Sequence, residues 1–237
     1  MRYLSITLLA LVAVFTLTSA KKDTQKLVRE KPDMEAIRAA VSDPNSKMYY
    51  PRLYKQFKAS DTTMTLDQMR HLYLGYIYQE DYNPYRQSQY SSRVEELYMR
   101  DKHTHAECDT IIHYAEKSLD DDPFDLRQMS FLIYAYREKK KNNMAAIMLW
   151  KLNHLLQAII STGTGLDPEN AWVVNNPQHE YNLLNFQDYI VESQKDVPPY
   201  YDYITVKPSG DKDEPKGFYF NILYLLEQYN KKFPDSL

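Results

Sequence analysis

From residue 33 to about residue 160, apolar positions recur three and four apart, which predicts a series of amphipathic helices. Thr65-Leu66-Asp67-Gln68 is a capping-box pattern, in which a hydroxyl and a side-chain amide satisfy the first free backbone donors. It opens a helix whose face carries Leu66, Met69, Leu72, Tyr73, Tyr76 and Ile77. Thr104-His105-Ala106-Glu107 is a second capping box, followed by a stripe of Cys108, Ile111, Ile112, Ala115 and Leu119. Asp122-Pro123 predicts a cap with proline at the first helical position, ahead of Leu126, Met129, Leu132, Ile133 and Tyr136. The last long helix begins near Asn143 and is apolar around much of its circumference, which predicts a central place in the fold.

The pattern changes after Ser161. Ala171-Trp172-Val173-Val174, Tyr203-Ile204-Thr205-Val206 and Phe218-Tyr219-Phe220-Asn221-Ile222 predict short strands, and the turn-rich stretch Lys207 to Gly217 joins the last two. A closing helix follows through Leu225, Leu226 and Tyr229. The expected fold is therefore mainly α, of the α+β class: an irregular helical bundle over 33–162, then a small antiparallel sheet and closing helix over 163–237, in a single domain spanning 33–237.

Ahead of that domain, Arg2 precedes an apolar stretch from Leu4 to Leu17, and Thr18-Ser19-Ala20 leads into Lys21-Lys22. This order is that of a secretory signal over residues 1–20, with 21–32 a polar arm. An uncleaved membrane anchor is the competing reading, disfavoured by the serine and threonines near its end. Export to the periplasm or the extracellular space is the expectation, with no transmembrane helix left after cleavage. The 237-residue chain has one cysteine, so no intramolecular disulfide can form.

Composition narrows the chemistry further. Five glycines leave little room for glycine-rich phosphate loops, and a net charge of −3 gives no field favouring nucleic acid. No P-loop, Gly-x-Ser-x-Gly elbow or Cys-x-x-Cys occurs. The unusual feature is 22 tyrosines. Those at 73, 76, 134 and 136 fall at or near helical stripes and read as core, whereas Tyr200-Tyr201-Asp202-Tyr203, after Pro198-Pro199, reads as partly exposed.

Two resemblances follow. Leu74-Gly75-Tyr76-Ile77-Tyr78-Gln79-Glu80 is similar to Leu132-Ile133-Tyr134-Ala135-Tyr136-Arg137-Glu138, and the stretch ending at Asp122-Pro123 resembles the close of a tetratricopeptide repeat. The spacing is not a multiple of the period of about 34 residues, so the resemblance implies a degenerate, tetratricopeptide-like array. Tyr49-Tyr50-Pro51-Arg52-Leu53, Asp61-Thr62-Thr63 and Tyr73-Leu74-Gly75-Tyr76 resemble phrases of a domain-of-unknown-function family of exported proteins from Gram-negative gut anaerobes. So do Gln79 to Tyr85, His179-Glu180-Tyr181, Tyr201-Asp202-Tyr203 and Gly217-Phe218-Tyr219-Phe220-Asn221. That resemblance implies an exported bacterial protein and assigns no activity.

The candidate binding segment is Gln79, Glu80, Asp81, Tyr82, Asn83, Tyr85 and Arg86, around Pro84. Acidic residues at a helix C-terminus oppose the macrodipole, and alternating carboxylates and tyrosine rings suit a peptide, protein or glycan partner. His179 and Glu180, expected on or just after a strand, are the candidate acid–base pair of an alternative exported hydrolase; a purely structural envelope component is the third alternative. His103, His105, Glu107, Cys108 and Asp109 cluster in sequence, but Glu107 belongs to a capping box and Cys108 to an apolar stripe, so no metal site is expected. Asp120-Asp121-Asp122 and Lys139-Lys140-Lys141 read as solvated charge runs, and no cofactor is expected.

Overall fold

The computed structural model describes residues 27–208 and 214–234; the expected signal over 1–20 and half of the arm lie outside them. Helix α1 (Met34–Ser42) is capped by Asp33, whose carboxylate accepts the Ala36 N–H at 2.9 Å. Helix α2 (Tyr50–Lys58) starts with Pro51 in its first turn, where a missing N–H is harmless. Helix α3 (Leu66–Gly75) opens on the Thr65/Gln68 capping box and tightens into a 3₁₀ turn at Tyr76–Tyr78. Val41 of α1 packs so closely on α3 that a Cβ at Gly75 would lie 2.6 Å from its Cγ1.

A 3₁₀ segment, Ser91–Met99, leads to α4 (His105–Asp121), which opens on the second capping box. Helices α5 (Leu126–Glu138) and α6 (Asn142–Ile160) follow, α4 packing on α5 and α5 on α6. Asp122 does not start α5; it closes α4, and Asp125 is the cap, accepting the Gln128 N–H at 3.0 Å. The delay lets Phe124, 1% exposed, reach the core against Phe57 and Tyr76 before the helix begins. Helix α6 is buried along Leu152, Leu155, Ala158 and Ile159, but its first turns leave Met144 and Ile147 exposed, so only its later part is central.

The C-terminal third contains β1 (Trp172–Val173), α7 (Gln178–Phe186), β2 (Val191–Val197), β3 (Tyr201–Val206), β4 (Gly217–Asn221) and α8 (Leu223–Lys232). The sheet order is β1-β4-β3-β2, with β1 parallel to β4 and the other pairs antiparallel, so the sheet is mixed rather than wholly antiparallel. Its inner face, Ile204, Val206, Phe218 and Phe220, joins one core with α1, α2, α3, α5 and α6. A smaller core around Cys108, Ile111, Leu132 and Tyr136 holds α4 against α5 and α6.

Candidate functional site

The loop after α3 is tied down from three sides. Gln79 Nε2 donates to the Gly75 carbonyl at 3.0 Å. Lys232 of α8 places its ammonium among the carbonyls of Gln79 (2.5 Å), Glu80 (2.7 Å) and Tyr82 (3.2 Å). That cation offsets the unfavourable placing of Glu80 and Asp81, both exposed, at the helix C-terminus. Arg86 donates to the Asp121 carbonyl at 2.7 Å and to that of Asp81, so its guanidinium braces the loop against the end of α4. Asn83 Oδ1 accepts the Tyr85 N–H at 3.0 Å, which makes the turn that Asn-Pro predicts.

The two tyrosines of this loop part company. Tyr82 is 1% exposed, its ring set edge-on to Tyr76, its hydroxyl donating to the Asn175 carbonyl at 2.7 Å. It is a core residue and cannot stack on a ligand, which corrects its assignment to a binding surface. Tyr85 is 50% exposed and packs edge-on against Tyr229, which leans on Phe233.

His179 and Glu180 lie in the first turn of α7, not on a strand. His179 bridges the core: Nδ1 lies 2.7 Å from the Tyr73 hydroxyl and Nε2 2.9 Å from the Phe124 carbonyl. A carbonyl only accepts, so Nε2 carries the proton and Nδ1 accepts from Tyr73. Burial pushes the imidazole down to about 4, which keeps it neutral. Glu180 turns elsewhere. No N–H or hydroxyl among the described residues reaches its carboxyl oxygens, and the group facing it is the carboxyl of Asp202 on β3. Burial raises both groups, and the hydrogen bond between them requires a shared proton. No hydrogen bond joins His179 to Glu180, so the pair does not converge as an acid–base couple.

One recess does gather several of these segments. A cleft of about 330 Å³ opens between the chain from Arg86 to Ser92, the start of α5 and the start of α7. Arg86 and His179, singled out separately in the sequence, both line it. So does Asp122, which is 9% exposed rather than part of a solvated charge run. Burial, then the charge of Asp125, raise its carboxyl to about 7, against the pull of Arg86. On another wall the Tyr98 ring is stacked on Phe131 at 3.7 Å, with the Arg127 guanidinium 4.6 Å from its centre. Tyr98 also donates to the buried Gln128 amide at 2.6 Å. Asp122, Arg127, Gln128 and Asn182 were not readable as site residues, because only the meeting of α5, α7 and the 3₁₀ segment makes them neighbours.

A family model described as a domain of unknown function, DUF4919, matches residues 35–231. The chain belongs to this family. In this DUF4919 chain the matched span runs from α1 into α8 and includes the loop, the cleft and the carboxyl pair. No curated protein and no solved structure matches it. Among its described residues, no helix is long and apolar enough to cross a membrane, and no group of three or more His, Cys, Asp and Glu could hold a metal ion. All of the histidine-rich stretch except the exposed His105 is already engaged in the fold. His103 bonds Tyr134 and the Leu97 carbonyl, Glu107 caps α4, Cys108 is buried, and Asp109 pairs with Lys139 at 2.8 Å.

Proposed function

We propose that this DUF4919 protein is an exported, non-catalytic binding module that holds a short hydroxyl-bearing ligand, of the glycan class, in the cleft between α5, α7 and the 3₁₀ segment. The observation that carries this reading is the lining: amides, hydroxyls, carboxylates and guanidinium groups converge from three chain segments, with Leu126 and Tyr98 as the apolar members. A dry small-molecule site has the opposite balance. The Arg127 guanidinium, 4.6 Å from the Tyr98 ring centre, makes no hydrogen bond or ion pair among the described residues, so its N–H groups can meet ligand oxygens. The serial packing of α4, α5 and α6 supports a tetratricopeptide-like scaffold beneath the cleft, and the signal pattern at residues 1–20 supports export.

The hydrolase alternative has less support. His179 has both ring nitrogens engaged, and Glu180 is fully buried. Thermal denaturation against neutral oligosaccharides, short peptides and sugar-free controls tests the proposal. Ligand at about 100 times its Kd adds roughly 2.7 kcal/mol, several degrees in Tm, and Arg127→Ala with Asn182→Ala abolishes the shift. A shift given by peptides alone, or one that survives the double change, refutes the glycan reading of the cleft.

A further inference from the structure

A second surface is built from residues that the cleft does not use. Along β3 the even positions Asp202, Ile204 and Val206 are buried, while Tyr201, Tyr203 and Thr205 alternate onto the solvent face and stay half-buried. The register sets Lys195 of β2 and Tyr219 of β4 on either side of Tyr203, which places a cation and two tyrosines side by side across three strands. The Tyr203 and Tyr219 ring centres are 4.5 Å apart.

Gly217 explains how Tyr203 lies. A Cβ at Gly217 would come within 2.8 Å of the Tyr203 Cζ and Oη, so the ring reaches across the bare backbone of β4 instead of standing off the sheet. The tip of the ring lies over the glycine, and the Tyr203 side chain stays half-buried beside Tyr219. A flat, half-exposed π face is a poor surface for water and a good one for the C–H face of a sugar ring, whose hydrogens meet the negative face of the aromatic quadrupole. The adjoining positions supply polar contacts. Ser193 and Thr205 form a hydroxyl pair at 2.8 Å, and Lys195 is exposed with no ion pair or hydrogen bond among the described residues. Asp196 is exposed but lies in register with the buried Asp202, on the opposite side of the sheet from Lys195 and Tyr203, and Glu192 lies at the bulge, beyond Ser193 from Lys195. The charge beside the rings is thus a lone cation, complementary to an anionic ligand.

We propose that the solvent face of the sheet is a stacking platform for a carboxylate-bearing polysaccharide chain, with Tyr203 and Tyr219 under the sugar rings and Lys195 on a carboxylate. Four residue steps of β3, from Tyr201 to Thr205, give a strip about 13 Å long, enough for a chain segment rather than a single sugar.

Affinity electrophoresis of the full chain in gels cast with polygalacturonate, with a neutral cellulose derivative and with no polymer provides the test. Polygalacturonate should retard the protein, and added salt should weaken the effect. Tyr203→Ala with Tyr219→Ala should reduce affinity about tenfold, Lys195→Glu should reduce it with the fold untouched, and Tyr203→Phe should keep it. Arg127→Ala should change nothing here, which separates this surface from the cleft. The proposal is overturned if polygalacturonate fails to retard the protein, or if the neutral polymer retards Arg127→Ala as strongly as polygalacturonate does. Full retardation of Lys195→Glu, or its loss in Arg127→Ala, overturns it too.

Discussion

Asp122→Asn should make this protein more stable, and by an amount that depends on pH. The carboxyl of Asp122 is raised from 3.8 to about 7 by burial and by Asp125. The folded chain therefore holds this proton more tightly than the unfolded chain does. Stability is unaffected below about pH 4, falls as pH climbs towards 7, and levels off above that. Three decades of proton affinity at 1.36 kcal/mol each put the full penalty at about 4 kcal/mol. Asparagine keeps the Oδ1 that accepts the Phe124 N–H at 3.2 Å and has no charge to bury. The variant should match the wild type near pH 4 and exceed it by about 4 kcal/mol at pH 8.5.

Urea unfolding of both proteins at half-unit steps from pH 4 to 8.5 measures the difference directly. The Glu180–Asp202 pair also loses stability as pH rises, but equally in both proteins, so it cancels. Two parallel stability curves would refute the reasoning: Asp122 would then ionise in the fold as easily as in water. A variant less stable than the wild type at pH 8.5 would show that the carboxylate, with Arg86 beside it, is worth more than its burial costs.

Three further outcomes follow from the same contacts. Tyr82→Ala should cost about 3–5 kcal/mol, because it empties a core position and orphans the Asn175 carbonyl, whereas Tyr85→Ala should cost under about 1 kcal/mol; equal losses in chemical denaturation would contradict this placement. Lys232→Met removes the cation from three loop carbonyls and should speed amide exchange in residues 79–82 and in α8, so unchanged protection would show that the contact carries no energy. Glu180→Gln lets an amide donate to Asp202 without a shared proton, and it should raise stability above neutral pH; a loss at pH 8 would mean that the pair is favourable as ionised.

The local features of the fold were legible because local rules decide them. Both threonine capping boxes form with reciprocal bonds, at 3.2 and 2.9 Å for Thr65 and Gln68 and at 3.3 and 2.8 Å for Thr104 and Glu107. Tyr73, Tyr76 and Tyr136 are buried, and Tyr200, Tyr201 and Tyr203 partly exposed, as their positions in the pattern predict, whereas Tyr134, read as core with the first group, is only half-buried. Strand β2 left no such trace. Its five central residues are exposed, so no alternation marks it, and its pairing with β3 comes from register alone. Helix α7 did leave a trace: Pro177 at the entry, Glu180 in the first turn, and Leu183 and Leu184 at helical spacing from it. The β-rich run Ala171 to Val174 just ahead of Pro177 masks that signal, because it extends the strand pattern up to the helix entry.

The residues that sequence placed worst are the buried polar ones, and they share a cause. Asp122, His179, Glu180 and Asp202 each satisfy or violate their chemistry through a partner far along the chain: Arg86 with Asp122, Tyr73 and Phe124 with His179, and the two carboxyls with each other. No window of neighbours contains these pairs, so pattern reading places such residues by local polarity, as surface charge or as a strand edge. Asp122 and the Glu180–Asp202 pair are also the places where the fold carries an electrostatic penalty that a purely structural module has no need to keep. Two of these conflicts lie at or beside the cleft, on Asp122 and on the first turn of α7. Stabilising substitutions that also weaken ligand binding there would tie the penalty to function, while stabilisation with binding intact would mark it as neutral.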